Sequence, residues 1–268
     1  MAGFWSGKGV VVTGASAGLG FAIAEAAADA GANVVLAARG AEALEAAVAK
    51  IRQRGHVAHQ VRADVTNEAD VHELVAKSRE LLGRIDLLVN CAGKSARGAI
   101  LDTSPDDFRQ LLEVNLISTV NCTRAFAPHL IAARGHLVNI GSLAGKSAAR
   151  WIGAYAAAKF AVTAYTQQLR LELEPLGLHV MLVCPGPIAR TETRTRDTDR
   201  LDRLPPEAAK PGAGVKARAL HPDWLAQRIL SGCESRRREL VYPRRARLLF
   251  AIAQLSPALG DQLVRWMT

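Results

Sequence analysis

The chain has 268 residues, of which 49% are hydrophobic and 22% charged, a composition typical of a globular protein and unlike disordered, collagen-like or coiled-coil chains. Lys and Arg number 34 against 25 Asp and Glu, a formal net charge of +9, but no nucleic-acid-reading module is recognisable, so we expect no nucleic-acid partner. Four widely spaced cysteines, no apolar signal segment after Met1 and no apolar run near the roughly 20 residues of a membrane span predict a reduced, cytoplasmic protein.

Seven short apolar runs predict β-strands. They are Gly9–Thr13, Asn33–Ala38, Val57–Ala63, Ile85–Asn90, His136–Ile140, His179–Cys184 and Glu239–Tyr242. Most are apolar without alternation, as expected of parallel strands covered on both faces. Helical segments lie between them, among them one from about Gly18 to Ala30, one beginning at Ser104 and one from about Ala154 to Leu176. The alternation predicts a single α/β domain over residues 1–268: a Rossmann-like, doubly wound parallel sheet of about seven strands with helices on both faces.

The first predicted strand leads into a glycine-rich turn that opens a helix. Glycines let such a turn approach a pyrophosphate, which then meets the free amides at the helix start. We therefore predict that the turn binds a cofactor through Gly14, Ser16, Ala17, Gly18, Leu19 and Gly20. The same letters fit the nucleophile elbow of a hydrolase, with Ser16 as nucleophile. That alternative is weak because neither His179 nor His221 has a convincing acid partner nearby in the sequence.

Motifs that follow the later strands resemble those of a known family. Asn90-Cys91-Ala92-Gly93 ends the fourth strand, and Asn115 lies on the next helix. Ser142 follows the fifth strand, and Tyr155-Ala156-Ala157-Ala158-Lys159 comes after it. Pro185-Gly186 follows the sixth strand. With the glycine-rich turn, these motifs resemble the short-chain dehydrogenase/reductase family from about residue 7 to 190, and loosely to 245.

The resemblance implies hydride transfer between a nicotinamide cofactor and a small carbonyl or alcohol substrate. It implies that Asn115, Ser142, Tyr155 and Lys159 are catalytic, that Lys159 holds the nicotinamide ribose, and that Asn115 supports a water that relays protons. It also implies cofactor contacts from residues in these motifs and the loops beside them: Asp64, Val65, Asn90, Ala92, Gly93, Tyr155, Lys159, Pro185, Gly186, Ile188 and Thr191.

The chemistry of this set also follows from the residues. Tyr155 and Lys159 are four apart and share one helix face. A phenol has a reference pKa of about 10, and a neighbouring ammonium favours the phenolate, so we expect Lys159 to lower the pKa of Tyr155. Tyr155 would donate a proton to a carbonyl as hydride arrives, or remove one in the reverse reaction. Ser142 would hydrogen-bond the substrate oxygen.

The end of the second strand predicts the choice of cofactor. Enzymes that prefer NAD commonly have an acid there for the ribose 2′-hydroxyl. This chain has Ala38 at that position, followed by Arg39, which can pair with a 2′-phosphate. We therefore predict NADP(H), with NAD(H) as the alternative. Asp64-Val65, after the third strand, resembles the family pair that brackets the adenine.

The loop after the sixth strand departs from the family pattern. Members usually continue Pro-Gly-x-Val-x-Thr, whereas here Arg190 stands at the expected threonine position and Thr191 follows it. Either residue could contact the cofactor. Residues 191–219, which are rich in charge and proline and have no clear period, predict a substrate lid or a plain solvated loop.

Other candidate sites are weaker. His56 and His59 are three apart at a strand start, so they do not share a strand face, and no cysteine or acid cluster joins them. We expect no metal site. Cys91 has no neighbouring His or cation in the sequence to activate it, so we expect a buried thiol.

Together these observations predict an NADP(H)-dependent short-chain dehydrogenase/reductase that acts on a ketone or aldehyde, with a hydrophobic or lipid-like substrate. The alternatives are NAD-linked alcohol oxidation and a regulator that binds the cofactor without chemistry. Intact Ser142, Tyr155 and Lys159 argue against the regulator, because a sensor needs no proton donor.

Two features predict contacts beyond the substrate. Apolar side chains on the helices around Asn115 and Tyr155 predict a homodimer or homotetramer: Leu111, Leu112, Leu116, Phe126, Ala164, Leu169 and Leu173. In the extension 244–268, Arg244-Arg245-Ala246-Arg247 precedes the apolar run Leu248–Leu255, which is too short to span a bilayer. This helical extension suits the interface of an anionic membrane. The alternative is a helix buried against a partner subunit or over the substrate pocket.

Overall fold

The strands of the protein were located in a computed structural model, in which residues 3–189, 204–210 and 218–267 are described. The strands are β1 Gly9–Thr13, β2 Asn33–Ala38, β3 Ala58–Arg62, β4 Leu87–Asn90, β5 His136–Ile140, β6 His179–Pro185 and β7 Glu239–Tyr242. Within the described chain they form one seven-stranded sheet in the order β3-β2-β1-β4-β5-β6-β7, with every pair parallel. The doubly wound parallel sheet predicted from the sequence is confirmed.

Helices alternate with these strands. They are α1 Gly18–Asp29, α2 Ala41–Gln53, α3 Glu68–Leu82, α4 Pro105–Leu112, α5 Ser118–Ala132, α6 Tyr155–Leu173, α7 Pro206–Ala209, α8 Pro222–Glu234, α9 Ala246–Leu255 and α10 Pro257–Met267. A turn of π-helix, Glu113–Ile117, joins α4 to α5. The helix α4 starts with a capping box: Ser104 accepts from the backbone N–H of Asp107, and the Asp107 carboxylate accepts from the N–H of Ser104.

The two faces of the sheet bury two separate apolar clusters. In β1, Val10 and Val12 lie in one cluster and Val11 lies in the other, because successive side chains of a strand point to opposite faces. The first cluster includes Ile23 of α1 and the second includes Phe126 of α5. Helices therefore cover both faces, which explains why the strand sequences are apolar without alternation.

The helices around the site use most of their apolar side chains within the subunit. Phe126 is 0% exposed and Leu111 is 5% exposed, and Leu169 and Leu173 pack against the same core cluster as Phe126. For these four side chains the prediction of surplus apolar surface is wrong, because the sheet and neighbouring helices pack against them, whereas Ala164 of the predicted set is exposed. An oligomer must therefore be argued from other residues.

The C-terminal extension forms the helix pair α9 and α10. No described helix is both long and apolar enough to cross a membrane.

Because all seven strands are parallel, their carboxyl ends meet at one edge of the sheet, which is where open α/β sheets bind ligands.

Candidate active site

The glycine-rich turn lies between the carboxyl end of β1 and the start of α1. Gly14 has φ +65°, and a β-carbon there would lie 2.8 Å from Cα of Ala92, so the turn packs directly on the loop after β4. A β-carbon at Gly20 would lie 2.4 Å from the Gly14 carbonyl oxygen. These contacts bring the start of α1 against the ends of two neighbouring strands.

The start of α1 can accept an anion. Ala17 is the N-cap residue, and no side chain caps the first amides of the helix. The amides of Gly18, Leu19 and Gly20 therefore present the positive end of the helix at the carboxyl edge of the sheet. Ser16, half-buried in the turn, lies beside them. This arrangement fits the phosphates of a dinucleotide.

The loop after β4 is held in place by buried side chains. The Thr13 hydroxyl accepts from the backbone N–H groups of Cys91 and Ala92, at 3.1 and 3.2 Å. The Asn90 side chain points inward and donates to Asn139 Oδ1 at 2.9 Å and to Thr123 Oγ1 at 3.2 Å. The side chain of Asn90 therefore supports the loop from the interior of the protein.

Ser142 and Tyr155 meet at the ends of β5 and α6. Ser142 follows β5, and its oxygen accepts from the Ala144 N–H at 3.1 Å. The Ser142 hydroxyl lies near the Tyr155 hydroxyl and acts to lower its pKa. Lys159, one turn along α6, is 6% exposed and donates to the Ile140 carbonyl at 2.9 Å. The Lys159 Nζ atom lies 5.9 Å from the centre of the Tyr155 ring.

Asn115 lies on the π turn and reaches the same place. Its Nδ2 donates to the carbonyls of Leu111 and Lys94 at 2.9 and 3.0 Å, and its Oδ1 accepts from the Lys94 N–H at 3.3 Å. A β-carbon at Gly93 would lie 2.8 Å from Asn115 Oδ1 and 3.5 Å from Lys159 Nζ. Asn115 and Lys159 therefore meet at Gly93, and Lys159 in turn lies beside Tyr155.

The pKa of Tyr155 corrects the prediction from sequence. Desolvation of its hydroxyl raises the pKa, and this outweighs the hydrogen bond with Ser142 and the positive charge of Arg97, which both lower it. Burial lowers the pKa of Lys159 itself to about 8. The expectation that Lys159 lowers the pKa of Tyr155 below its ordinary value is therefore wrong for this protein without a cofactor, because burial dominates both groups.

Arg97 is a site residue that the sequence analysis missed. It lies on the loop after β4, and its charge acts on the Tyr155 hydroxyl. Its Nε donates to the carbonyl of Ala208, in α7, at 3.0 Å. The adjacent Gly98 pairs with Ile152, and its N–H donates to the Trp151 carbonyl just before α6. A single arginine outside any motif gives no sequence signal; the contact with Ala208 could not be read from the chain.

The segment after β6 is described only in part. The Gly186 N–H donates to the Tyr242 carbonyl at 2.7 Å, and Ile188 pairs with Leu220, the residue that follows the predicted lid. Pro185 ends β6. The predicted cofactor contact Thr191 and its alternative Arg190 lie outside the described residues, as does most of the segment 191–219.

Arg39 and Asp64 lie where the cofactor's adenosine end was predicted. They form an ion pair at 3.7 Å, with side chains 69% and 38% exposed. Arg62 Nε donates to the Arg39 carbonyl at 3.1 Å. A recess of about 440 Å³ is bordered by these residues and two further acids, Asp70 and Glu73. Burial opposes the charged form of Asp64, yet hydrogen bonds from Thr66 and the charge of Arg39 hold its pKa below the usual value.

Val65 and Cys91 are further sequence candidates. The Val65 side chain is buried in the core, so only its backbone faces the Asp64 loop. Burial raises the pKa of the Cys91 thiol to about 12, which agrees with the expectation of an inert cysteine.

The histidines do not build a hydrolase triad with Ser16. His179 begins β6 at the edge opposite Ser16, and His221 is exposed with Asp223 at 3.5 Å. His179 instead lies in a buried group with His136 and Cys233, in which the two histidine Nδ1 atoms are 2.9 Å apart. The His179 Nε2 donates to the Arg237 carbonyl at 2.8 Å, so hydrogen bonds account for this pair. His56 pairs with Asp29 at 2.9 Å.

Comparisons with known proteins agree with this geometry. A sequence profile described as short chain dehydrogenase matches residues 8–202. The chain is 33% identical over 259 residues to the uncharacterized oxidoreductase YxnA of Bacillus subtilis, covering 95% of this chain and 70% of that protein. It is 30% identical over 268 residues to the ketoacyl reductase HetN of Nostoc sp., covering 97% and 89%. A short chain dehydrogenase/reductase from Burkholderia phymatum, solved in complex with NAD, superposes with a TM-score of 0.81 at 28% identity, covering 94% and 95%.

Proposed function

The chain belongs to the short-chain dehydrogenase/reductase family of oxidoreductases, and we propose that it reduces ketones or aldehydes to alcohols with NADPH and oxidises the alcohols in reverse. One observation carries the proposal. The Tyr155 hydroxyl, desolvated and next to Ser142, lies on the same helix face as the buried ammonium of Lys159. The name of the ketoacyl reductase relative supports carbonyl reduction as the reaction.

Tyr155 is the proton donor in this proposal. It keeps its proton at neutral pH because burial raises its pKa, so it can donate to a carbonyl oxygen as negative charge develops there. The Ser142 oxygen already accepts from Ala144, so its hydroxyl proton can turn toward the same substrate oxygen. A general acid of this kind contributes about 10²- to 10⁴-fold in rate.

Lys159 and Asn115 supply position and protons. With a pKa of about 8, Lys159 is mostly charged at pH 7 and can bind the ribose of a nicotinamide cofactor. Asn115 Oδ1 faces the same space beside Gly93, where we assign it to hold the water that returns a proton to Tyr155. This assignment follows the family pattern and the positions of the Asn115 and Lys159 side chains, which both lie beside Gly93.

The residues present fit a nicotinamide dinucleotide. The cradle formed by Gly14, the uncapped amides at the start of α1 and the loop from Asn90 to Gly93 lies between the adenosine end at Arg39 and Tyr155. Pro185, Gly186 and Ile188, at and just after the end of β6, are proposed to contact the cofactor on its other side. When bound, the cofactor supplies the hydride. The orientation and the proton come from the chain's own residues.

A preference for NADP(H) rests on Arg39 and Arg62. Both arginines border the recess at the end of β2 and β3, and Ala38 leaves no carboxylate to bind a ribose 2′-hydroxyl. Arg39 can leave its 3.7 Å pair with Asp64 for a 2′-phosphate. NAD(H) is the alternative, favoured by the NAD-bound structure from Burkholderia phymatum and by the acids Asp64, Asp70 and Glu73 at the same recess.

The segment 191–219 is proposed as the substrate lid. The described residues that flank it are paired, Ile188 with Leu220, and Ala208 within it accepts from Arg97. Ile152, Ala156 and Ala144 form an apolar cluster beside Tyr155, which favours a hydrophobic substrate. Arg97 would then set the position of the lid relative to the Tyr155 hydroxyl.

Assembly as a homodimer or homotetramer is proposed from α6. Ala157, Phe160, Ala164 and Leu171 are exposed and recur at helical spacing, with Phe160 41% and Leu171 71% exposed. Such a stripe forms one apolar face, which a soluble helix normally covers.

Turnover with a panel of ketones and aldehydes of graded size and polarity tests the proposed function. NADPH consumption must equal alcohol formed, with NADH run in parallel to score the alternative cofactor. A protein that binds NADPH but reduces nothing above the level of its Tyr155→Phe variant would be a cofactor-binding regulator. The Ser16→Ala variant tests the hydrolase alternative. In a hydrolase it should abolish esterase activity, whereas in the proposed reductase it should mainly change the affinity for the cofactor.

A further inference from the structure

The helix pair α9–α10, residues 246–267, is named here the C-terminal hairpin, and it exposes large apolar side chains. Ala246 is the buried residue of α9, whereas Leu248 is 68% exposed and Leu255 is 88% exposed. In α10, Leu259 is 55% and Trp266 is 72% exposed. A concentration of exposed apolar side chains on one element indicates a binding surface.

The hairpin is an ordered element with one anchored face. A β-carbon at Gly260 would lie 2.6 Å from Cβ of Ala253, so the two helices touch there. Phe250 packs against a core cluster that includes Val241 and Cys184. Leu248 and Leu255 are seven residues apart and lie on one side of α9, where Ala251 between them is also exposed. The apolar side that faces solvent is therefore held in place by the opposite side.

Positive charge lies at both ends of the hairpin. Arg244, Arg245 and Arg247 are exposed at the start of α9, and Arg265 is exposed near the end of α10. The full sequence from 244 to 268 contains a single acid, Asp261, against these four arginines, which gives a net +3. A recess of about 330 Å³ beside β7 is bordered by Arg237, Arg244 and Arg247, together with Glu239.

The acid in that recess is already paired. Glu239 Oε1 lies 2.7 Å from Lys146 Nζ, and its Oε2 lies 4.0 Å from Arg247. The recess and the hairpin therefore present an excess of arginine, which can contact phosphate oxygens. An apolar strip bordered by arginines is the pattern of a helix that lies in the interface of an anionic bilayer.

We propose that the C-terminal hairpin docks on an anionic membrane surface, with Leu248, Leu255 and Leu259 in the acyl boundary and the flanking arginines on lipid phosphates. A helix of ten residues is about 15 Å long, too short to cross the bilayer, so the hairpin lies in the interface. Because β7 ends at the same edge of the sheet as the catalytic residues, docking brings that edge to the membrane. If the proposed function is correct, a lipid-like carbonyl compound could reach the site from the bilayer.

The test is co-sedimentation of the full-length protein with vesicles of phosphatidylcholine alone or with phosphatidylserine, at low and at high salt. We expect binding to the phosphatidylserine vesicles at low salt, weakened by salt and by omitting the anionic lipid. Arg244→Gln with Arg245→Gln should weaken this binding about 30-fold, since each arginine near an anionic surface contributes about fivefold. Leu248→Ser with Leu255→Ser should weaken it at least tenfold.

Matched variants control for loss of charge and of apolar surface. Arg109→Gln with Arg124→Gln removes two exposed charges elsewhere, and Val57→Ser with Leu176→Ser removes two exposed apolar side chains. Both controls should bind vesicles as the unaltered protein does. Thermal unfolding verifies that each variant is folded, and none of these measurements needs turnover, so the result is independent of the proposed function.

Quenching of tryptophan fluorescence by brominated acyl chains locates the hairpin. Quenching that is lost in Trp266→Phe supports the proposal. Absence of binding to anionic vesicles at low salt overturns it, as does an equal loss of binding in the control variants. If the serine variant instead halves the mass measured by light scattering, and the unaltered protein ignores vesicles, the hairpin joins two copies of this chain and the proposal is wrong.

Discussion

Exchanging Arg39 for Gln removes the cation that follows β2 and should weaken NADPH binding more than NADH binding. A charge-assisted contact with the 2′-phosphate contributes about 1.5–3 kcal/mol. Arg39 must first leave Asp64, a pair that is 3.7 Å apart with side chains 69% and 38% exposed and is therefore worth no more than about 1 kcal/mol. The net contribution is about 1–2 kcal/mol, which corresponds to about 5- to 30-fold in the ratio of the two dissociation constants.

Fluorescence titration of both cofactors measures this ratio. Arg39→Asp should reverse the preference, because a carboxylate repels the 2′-phosphate and can bind a ribose 2′-hydroxyl. Arg109→Gln, an equally exposed arginine elsewhere, should leave the ratio unchanged. Equal dissociation constants for NADPH and NADH in the unaltered protein would refute the reasoning, since Arg39 would then contribute nothing to the choice.

Three further predictions concern the buried lysine, the missed arginine and the helix face. Lys159→Met should raise the free energy of unfolding of the cofactor-free protein by up to about 3 kcal/mol at pH 7, where the buried ammonium is charged. This gain should vanish as the pH rises from about 8 toward 10.5. Denaturant titrations at both ends of this pH range measure the difference. Arg97→Met should move the inflection of the pH profile for alcohol oxidation to higher pH, because the cation lowers the pKa of Tyr155, and Arg97→Lys should restore it; an unmoved inflection would contradict this. Phe160→Ser with Leu171→Ser should lower the mass found by light scattering, whereas an unchanged mass would argue against an interface on α6.

The strands and the glycine-rich turn could be predicted because local sequence determines them. Parallel strands that are buried on both faces need continuous apolar runs, and Val34–Leu36 of β2 form such a buried run. At Gly14 and Gly20 the backbone lies too close to neighbouring atoms for a side chain to fit, so the pattern of glycines indicates the geometry of the turn. Ser142, Tyr155 and Lys159 could be proposed as a site because their motifs resemble those of the family and because Tyr155 and Lys159 share one helix face.

Properties that depend on burial or on contacts between distant residues could not be predicted. The spacing of Tyr155 and Lys159 indicates proximity but not desolvation, which reverses the expected direction of the pKa of Tyr155. Leu111 and Phe126 look alike in sequence whether they face the core or a partner, and the structure buries both. Arg97 contacts Ala208, which is 111 positions away, a contact with no local signal.

Tyr155→Phe tests the central claim most directly, because it keeps the aromatic ring and removes the proton that the proposed reaction requires. The measurement is the turnover of the best ketone substrate together with the dissociation constant of NADPH. We expect turnover to fall by about 10²- to 10⁴-fold while NADPH binding is retained, since Lys159 and the glycine-rich turn still hold the cofactor. Near-normal turnover by the folded variant would contradict the account, because Tyr155 could then not be the proton donor.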